Sequence, residues 1–278
     1  MSCRIISDTG GELTEIMRKD STFVLAQLSI DIDGEVYVDE SISQQELLKH
    51  IADSPNCPKS SCPSPETFME LYKCDAENVY VVAISGSLSG TYNSALLGKN
   101  LYEEEYGKKN IYVFDSVSAS VGQTNACNKI KEYEDAGMSF EEVIEKVEQF
   151  IAQQNIYFVL ESLETLRKNG RLTGLKSVLA TALNIKPIMG ANKEGEIVQL
   201  GQARGVKKAL ARMVEVMIED IVDPEEKIIG IAHCNNYERA ELVKAMIEEK
   251  IKVKEIYITE TSGISSMYAS DGGIIMAV

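Results

Sequence analysis

The sequence predicts an α/β fold in two parts, a mostly parallel sheet flanked by helices and then a mixed α/β unit. Three observations carry that prediction. Residues 4–7, 79–84 and 111–114 are short strand-like stretches that each end in a turn of Ser, Asp, Thr or Gly. The middle one is β-branched or small and apolar without interruption, as a strand buried on both faces of a parallel sheet must be. After Asn155 the pattern changes: 185–189 and 196–202 read as strands joined by a turn at 192–195, an antiparallel pair set among helices. The expected division is therefore 1–155, with a hairpin insertion, and 156–278.

Composition bounds the function. The chain has 278 residues, and its 43 acidic against 28 basic side chains leave a net charge of −15, which argues against nucleic acid or an anionic membrane as the main partner. Six cysteines show no CxxC pair and no metal spacing with the two histidines, so reduced thiols in a cytoplasmic protein are expected, with no metal and no cofactor. No apolar run reaches the roughly 18 residues of a membrane span, and the N-terminus lacks the apolar run of a signal peptide.

In chain order, the first strand ends on Asp8, Thr9, Gly10 and Gly11. Residues 23–32 and 35–39 read as a hairpin around Asp33-Gly34, whose positive φ angles suit a tight turn. Ser43 and Glu46 have the capping-box spacing before a helix with Leu47, Leu48 and Ile51 on one side, and His50 on it reads as solvated or satisfied. Ser64 with Pro65 starts a helix through Phe68, Leu71 and Tyr72. Ser60 and Ser61 are not needed for that cap, and are either loop serines or hydroxyls turned towards a pocket. The stretch VYVVAISGSLSGTYNS (79–94) organises the rest: strand, Gly/Ser turn, helix. Ligands of open α/β sheets sit at such carboxyl ends, where free N–H groups favour an anion, although Ser89 could equally be a plain helix N-cap.

After the third strand come Asp115, Ser116, Val117 and Ser118, then a helix with Val121, Ala126 and Ile130, and another opened by Ser139 and Glu142. The second half begins with a strand at 156–160 and a helix at 161–168, followed by a bend (169–174) centred on Arg171 and an apolar helix at 175–183. Arg204 stands at the end of the antiparallel pair, before a helix with Leu210, Met213 and Met217 on one side. A strand ending on His233, a helix at 237–247 and strands at 255–258 and 273–278 complete the chain.

Taken together, SDTGGEL (7–13), SSCPSP (60–65), ISGSLSGTYNSA (84–95), FDSVSASVGQ (114–123), LETLRKNGRLTG (163–174), IKPIM (185–189) and ARGVKKAL (203–210) resemble the DegV family, in that order and over nearly the whole chain. The resemblance implies a two-domain protein that holds one long-chain fatty acid in a tunnel between the domains. In members that serve fatty-acid kinases it also implies presentation of the carboxylate to a separate kinase for acyl phosphate formation, a step of phospholipid metabolism. It places Ser60 and Ser89 at the carboxylate, with Ser61 and Asp8 in the same polar cluster, and matches Arg171 and Arg204 to the family's arginines near the exit, facing the partner. Tyr268 stands where the family usually has a histidine in an HTGPG segment, a third carboxylate-binding position at which it can still donate one hydrogen bond but carries no positive charge, and Asn169 replaces the first glycine of the usual GGR bend. Val178, Leu179, Leu183, Ile188 and Met189 are either tunnel lining or plain core.

Burial of a sixteen-carbon tail at about 0.8 kcal/mol per CH₂ supplies on the order of 10 kcal/mol before the entropic costs of binding. The head group needs hydroxyl or N–H donors, because an unpaired carboxylate in a partly dry site is costly. The competing class is an enzyme acting on an acyl or phosphorylated small molecule, with Ser89 or Ser60 as nucleophile and His233 as base. The sequence has no GxSxG elbow, P-loop or metal cluster, and so favours a carrier without chemistry of its own.

Overall fold

The apolar run around Val81 has no polar face to show to water, and in the computed structural model, which describes residues 2–172 and 184–278, it lies in the middle of a sheet. Up to residue 153 the chain forms β1 (Cys3–Asp8), α1 (Glu15–Lys19), β2 (Phe23–Ala26), β3 (Ser29–Ile32), β4 (Glu35–Val38), α2 (Gln44–Asp53), β5 (Lys59–Ser61), α3 (Pro65–Tyr72), β6 (Asn78–Ala83), α4 (Thr91–Tyr106), β7 (Asn110–Asp115), α5 (Val121–Asp135) and α6 (Phe140–Gln153). Then follow β8 (Ile156–Val159), α7 (Glu164–Lys168), β9 (Ile185–Ala191), β10 (Ile197–Arg204), α8 (Val206–Asp220), β11 (Ile228–His233), α9 (Tyr237–Lys250), β12 (Glu255–Glu260), α10 (Gly263–Ala269) and β13 (Ile274–Ala277).

The first sheet is parallel, in the order β2-β1-β6-β7. Phe68, Tyr72 and Ala95 of α3 and α4 cover one face, against Ile6, Val79 and Val81. Ala126, Ile130, Val143 and Val147 of α5 and α6 cover the other, against Ile5, Tyr80 and Phe114. The second sheet is mixed, in the order β10-β9-β8-β13-β11-β12, and only β11 and β12 pair in parallel. Helices α8 and α9 cover its outer face. Its inner face meets α5, where Val121 packs on Ala232 and Ala277 and the Tyr257 hydroxyl donates to Asn125 Oδ1 at 2.7 Å. Residues 121–127 of α5 are all buried, the mark of a helix enclosed on every side rather than one lying on a surface.

The structure departs from the sequence reading in several places. The stretch 23–32 is two strands, not one: β2 stays in the parallel sheet, and the chain leaves it at Gln27, whose Nε2 donates to the Asp39 carbonyl at 3.1 Å. The Asp33-Gly34 turn then joins β3 to β4 alone, with φ of 55° and 89°. Ser60 and Ser61 belong to β5, which completes a small antiparallel sheet in the order β4-β3-β5. Gly90, not Ser89, occupies the cap position of α4. The short helix α10 lies in a stretch read as connection. The expected helix at 175–183, with Val178, Leu179 and Leu183, lies outside the described residues.

Candidate functional site

The turns after β1, β6 and β7 meet on one side of the parallel sheet, welded by a buried carboxylate. Asp8 Oδ1 accepts from Gly10 N at 2.8 Å and Gln123 Nε2 at 3.2 Å, and Oδ2 accepts from Ile84 N at 2.7 Å. Burial pushes the Asp8 carboxyl up to about 6, although the three donors work against that. Asp115 does the same on the neighbouring turn, accepting from Gly86 N and Val117 N at 3.1 and 2.9 Å. The β9–β10 turn docks from the other sheet: Ser85 Oγ donates to the Gly195 carbonyl at 3.0 Å and Ser87 Oγ to that of Glu194 at 2.6 Å.

Between these turns and the mixed sheet lies a partly enclosed cavity. Ile84, Leu88, Phe158, Leu160 and Ile275 give it apolar walls, and a few hydroxyls interrupt them. Four of the predicted site residues, Ser60, Ser89, Tyr268 and Arg171, line this one cavity although they come from four separate elements. Ser60 Oγ and the Tyr268 hydroxyl are 2.9 Å apart. Ser89 Oγ lies 2.9 Å from Thr91 Oγ1 and accepts from Thr91 N at 3.3 Å. Arg171 is a clasp: Nε donates to the Leu88 carbonyl at 3.1 Å and Nη1 to that of Asn169 at 2.5 Å. Its guanidinium carbon is 6.0 Å from the centre of the Tyr268 ring.

Three other predicted residues are not on the cavity wall. Ser61 alternates with Ser60 on β5 and is exposed, Asp8 lies beneath the turns, and Arg204 is exposed at the end of β10. Ile188 and Met189 are fully buried in apolar clusters and do not line the cavity. His233 lines a different cleft beside Tyr237, and its Nδ1 accepts from Asn236 N at 3.2 Å. Burial lowers its pKa. The chain's other histidine, His50, is 2.8 Å from the Tyr37 hydroxyl through Nδ1. Neither Ser60 nor Ser89 therefore has a histidine beside it.

Sequence reasoning missed the support behind the wall. Glu12, only 2% exposed, accepts from Ser120 Oγ at 2.8 Å and from Ser262 N at 2.6 Å, and burial pushes its carboxyl up to about 7. Asp39, also raised by burial, accepts from Ile264 N at 3.1 Å. These two acids from distant parts of the chain hold the first turn of α10, and α10 carries Ser265 and Tyr268 to the cavity. Glu12 stood within a motif already singled out, SDTGGEL. GISSMYA (263–269) carries Ile264, Met267 and Tyr268 at helical spacing, a pattern too short to stand out.

A mainly apolar cavity interrupted by a few hydroxyls, two of them paired at Ser60 and Tyr268, fits an amphiphile: a long apolar body and one small polar group. Comparison with known proteins agrees with that geometry. A family model described as "Uncharacterised protein, DegV family" matches residues 2–277. A DegV domain-containing protein of Streptococcus pneumoniae is 32% identical over 99% of this chain and 98% of its own, and one from Streptococcus pyogenes is 33% identical over 99% of each. Among solved structures, a DegV-family protein of Ruminococcus gnavus with vaccenic acid is 55% identical over 100% of both chains, with a TM-score of 0.98. The Fatty Acid Kinase (Fak) B3 protein of Streptococcus pneumoniae, loaded with linoleic acid, is 32% identical with a TM-score of 0.89, over 100% of this chain and 99% of that one.

Proposed function

The chain belongs to the DegV family, and we propose that it carries one long-chain fatty acid in this cavity and presents the carboxylate to a separate kinase that forms acyl phosphate. The observation that supports the reading is that Ser60, Ser89 and Tyr268 share the wall of a mainly apolar cavity, with Ser60 and Tyr268 in hydrogen-bond contact. The tail supplies affinity by burial and the hydroxyls supply the donors a carboxylate requires. The fatty acids held by the Ruminococcus gnavus and Streptococcus pneumoniae proteins support the ligand class, and the latter's name supports the kinase. Arg171 stands at the head-group end as a positioning residue, and exposed Arg204 is free of the cavity to meet the partner. The carrier works in the cytoplasm in this reading, where its six free thiols stay reduced.

A hydrolase or transferase acting through Ser60 or Ser89 has no base on the cavity wall among the described residues, since His233 serves another cleft. The test is native mass spectrometry of the protein as purified, followed by organic extraction. One fatty acid per chain is expected, and a protein that is empty and takes up no added fatty acid would sink the proposal. Adding a purified fatty-acid kinase and ATP tests presentation. Arg204→Ala is expected to keep its lipid and lose acyl phosphate formation.

A further inference from the structure

Strand β8 gives the cavity a direction. Ile156, Phe158 and Leu160, alternate residues of one strand and its end, all line it, as side chains on one face of a strand must. Leu160 packs in the apolar cluster that contains Leu88, Leu166 and Tyr268, so it marks the head-group end. Ile156 is four residues away, about 13 Å at roughly 3.3 Å per residue, and marks the far end.

At that far end the wall is thin. Val117, Ser118, Ile156 and Ala191 line the cavity on one side and, on the other, an outer cleft reached by Gln154, Asn155, Asn192 and Lys193. Ile156 and Ala191 are brought together by the antiparallel register of β8 and β9, which pairs Tyr157 with Gly190 and Phe158 with Met189. Val117 is fixed across from them with φ of 51°, a left-handed backbone unusual for a β-branched residue, and its N–H is tied to Asp115 Oδ1 at 2.9 Å. Ser118 Oγ and Gln154 Oε1 are buried there without a hydrogen-bond partner among the described residues, while Gln154 Nε2 donates to the Gly122 carbonyl at 3.1 Å and Ser116 Oγ to the Ser118 carbonyl at 3.1 Å.

We propose that this partition, one residue thick, is the stop against which the methyl end of the acyl chain rests, and that it sets the longest chain the protein accepts. The proposal rests on the fatty-acid reading above. A chain longer than the stop allows must leave methylenes unburied at the mouth or fold back, and two such methylenes correspond to roughly tenfold in affinity. Removing bulk from Ile156 opens the partition into the outer cleft, and adding bulk at Ala191 advances it.

The experiment offers the whole protein, stripped of lipid, an equimolar mixture of saturated fatty acids from tetradecanoic to eicosanoic, and reads the bound population by native mass spectrometry. Ile156→Ala is expected to shift the population towards longer acids and Ala191→Leu towards shorter ones, each by roughly tenfold in the ratio of acids two carbons apart. The opposite signs keep the test decisive if one variant fails to fold, because the other still has a required direction. Variants that each hold one fatty acid with the wild-type distribution overturn the stop and leave the carrier reading standing. A wild-type protein that takes up none of the acids overturns both.

Discussion

Ser60 and Tyr268 each bring one proton to their shared bond, and only one of the two is spent within the 2.9 Å contact. The other is available to a ligand oxygen, and Ser89 adds a third hydroxyl on the same cavity wall. Tyr268→Phe removes a donor to a charged group, so fatty-acid affinity should fall roughly tenfold or more by direct titration. Unchanged affinity would take Tyr268 out of the head-group site. Glu12 supplies a second prediction. Burial raises its carboxyl from 4.5 to about 7 in the fold, so folding takes up a proton between those values. The resulting stabilisation is fully present below the lower value and lost as pH rises through the upper one. Asp8, raised to about 6, acts in the same direction. Glu12→Gln keeps an acceptor for Ser262 N, and should flatten the dependence of the unfolding midpoint on pH across that window. The difference expected is on the order of 3 kcal/mol, and parallel wild-type and variant curves would refute the assignment.

Among the elements, the β9–β10 turn holds the two sheets in register around the cavity. Gly195 in that turn has φ of 74°, and an added Cβ would sit 2.2 Å from Ser85 Oγ, so no side chain fits there without displacing the turn. Gly195→Ala should cost about 1–3 kcal/mol in denaturant unfolding. A variant as stable as wild type would mean that Ser85 yields freely. The elements legible in the sequence were those whose signal is local. The buried run around Val81, the capping boxes at Ser43 and Ser139, and the Asp33-Gly34 turn each declare themselves within a few residues. What stayed hidden depends on distant partners. The break at Gln27 is fixed by Asp39, and the seven residues of α10, with only Ile264, Met267 and Tyr268 on their apolar side, are held at their start by Glu12 and Asp39 from far away in the chain. Ser60 and Ser89 were readable as candidates because hydroxyls near strand ends are conspicuous. The arrangement of Ser120 and Ser265 in front of Glu12 was not, since it is assembled from both ends of the chain.

For the molecule as a whole, the proposed load is part of the fold's stability. A ligand held at a hundred times its Kd adds about 2.7 kcal/mol. Stripping the lipid should therefore lower the unfolding midpoint by roughly 5–10 °C, and adding fatty acid back should restore it. A midpoint indifferent to lipid would mean that the cavity is not where lipid binds. Helix α5 governs how such a load can be exchanged. Its two sides belong to the cores of both sheets, so swinging the sheets apart like the covers of a book would strip Val121 from Ala232 and Ala277, or Ala126 and Ile130 from the parallel sheet. Among the described residues, parting the sheets to admit such a cargo would therefore expose apolar surface on α5 and on the sheet it leaves at once.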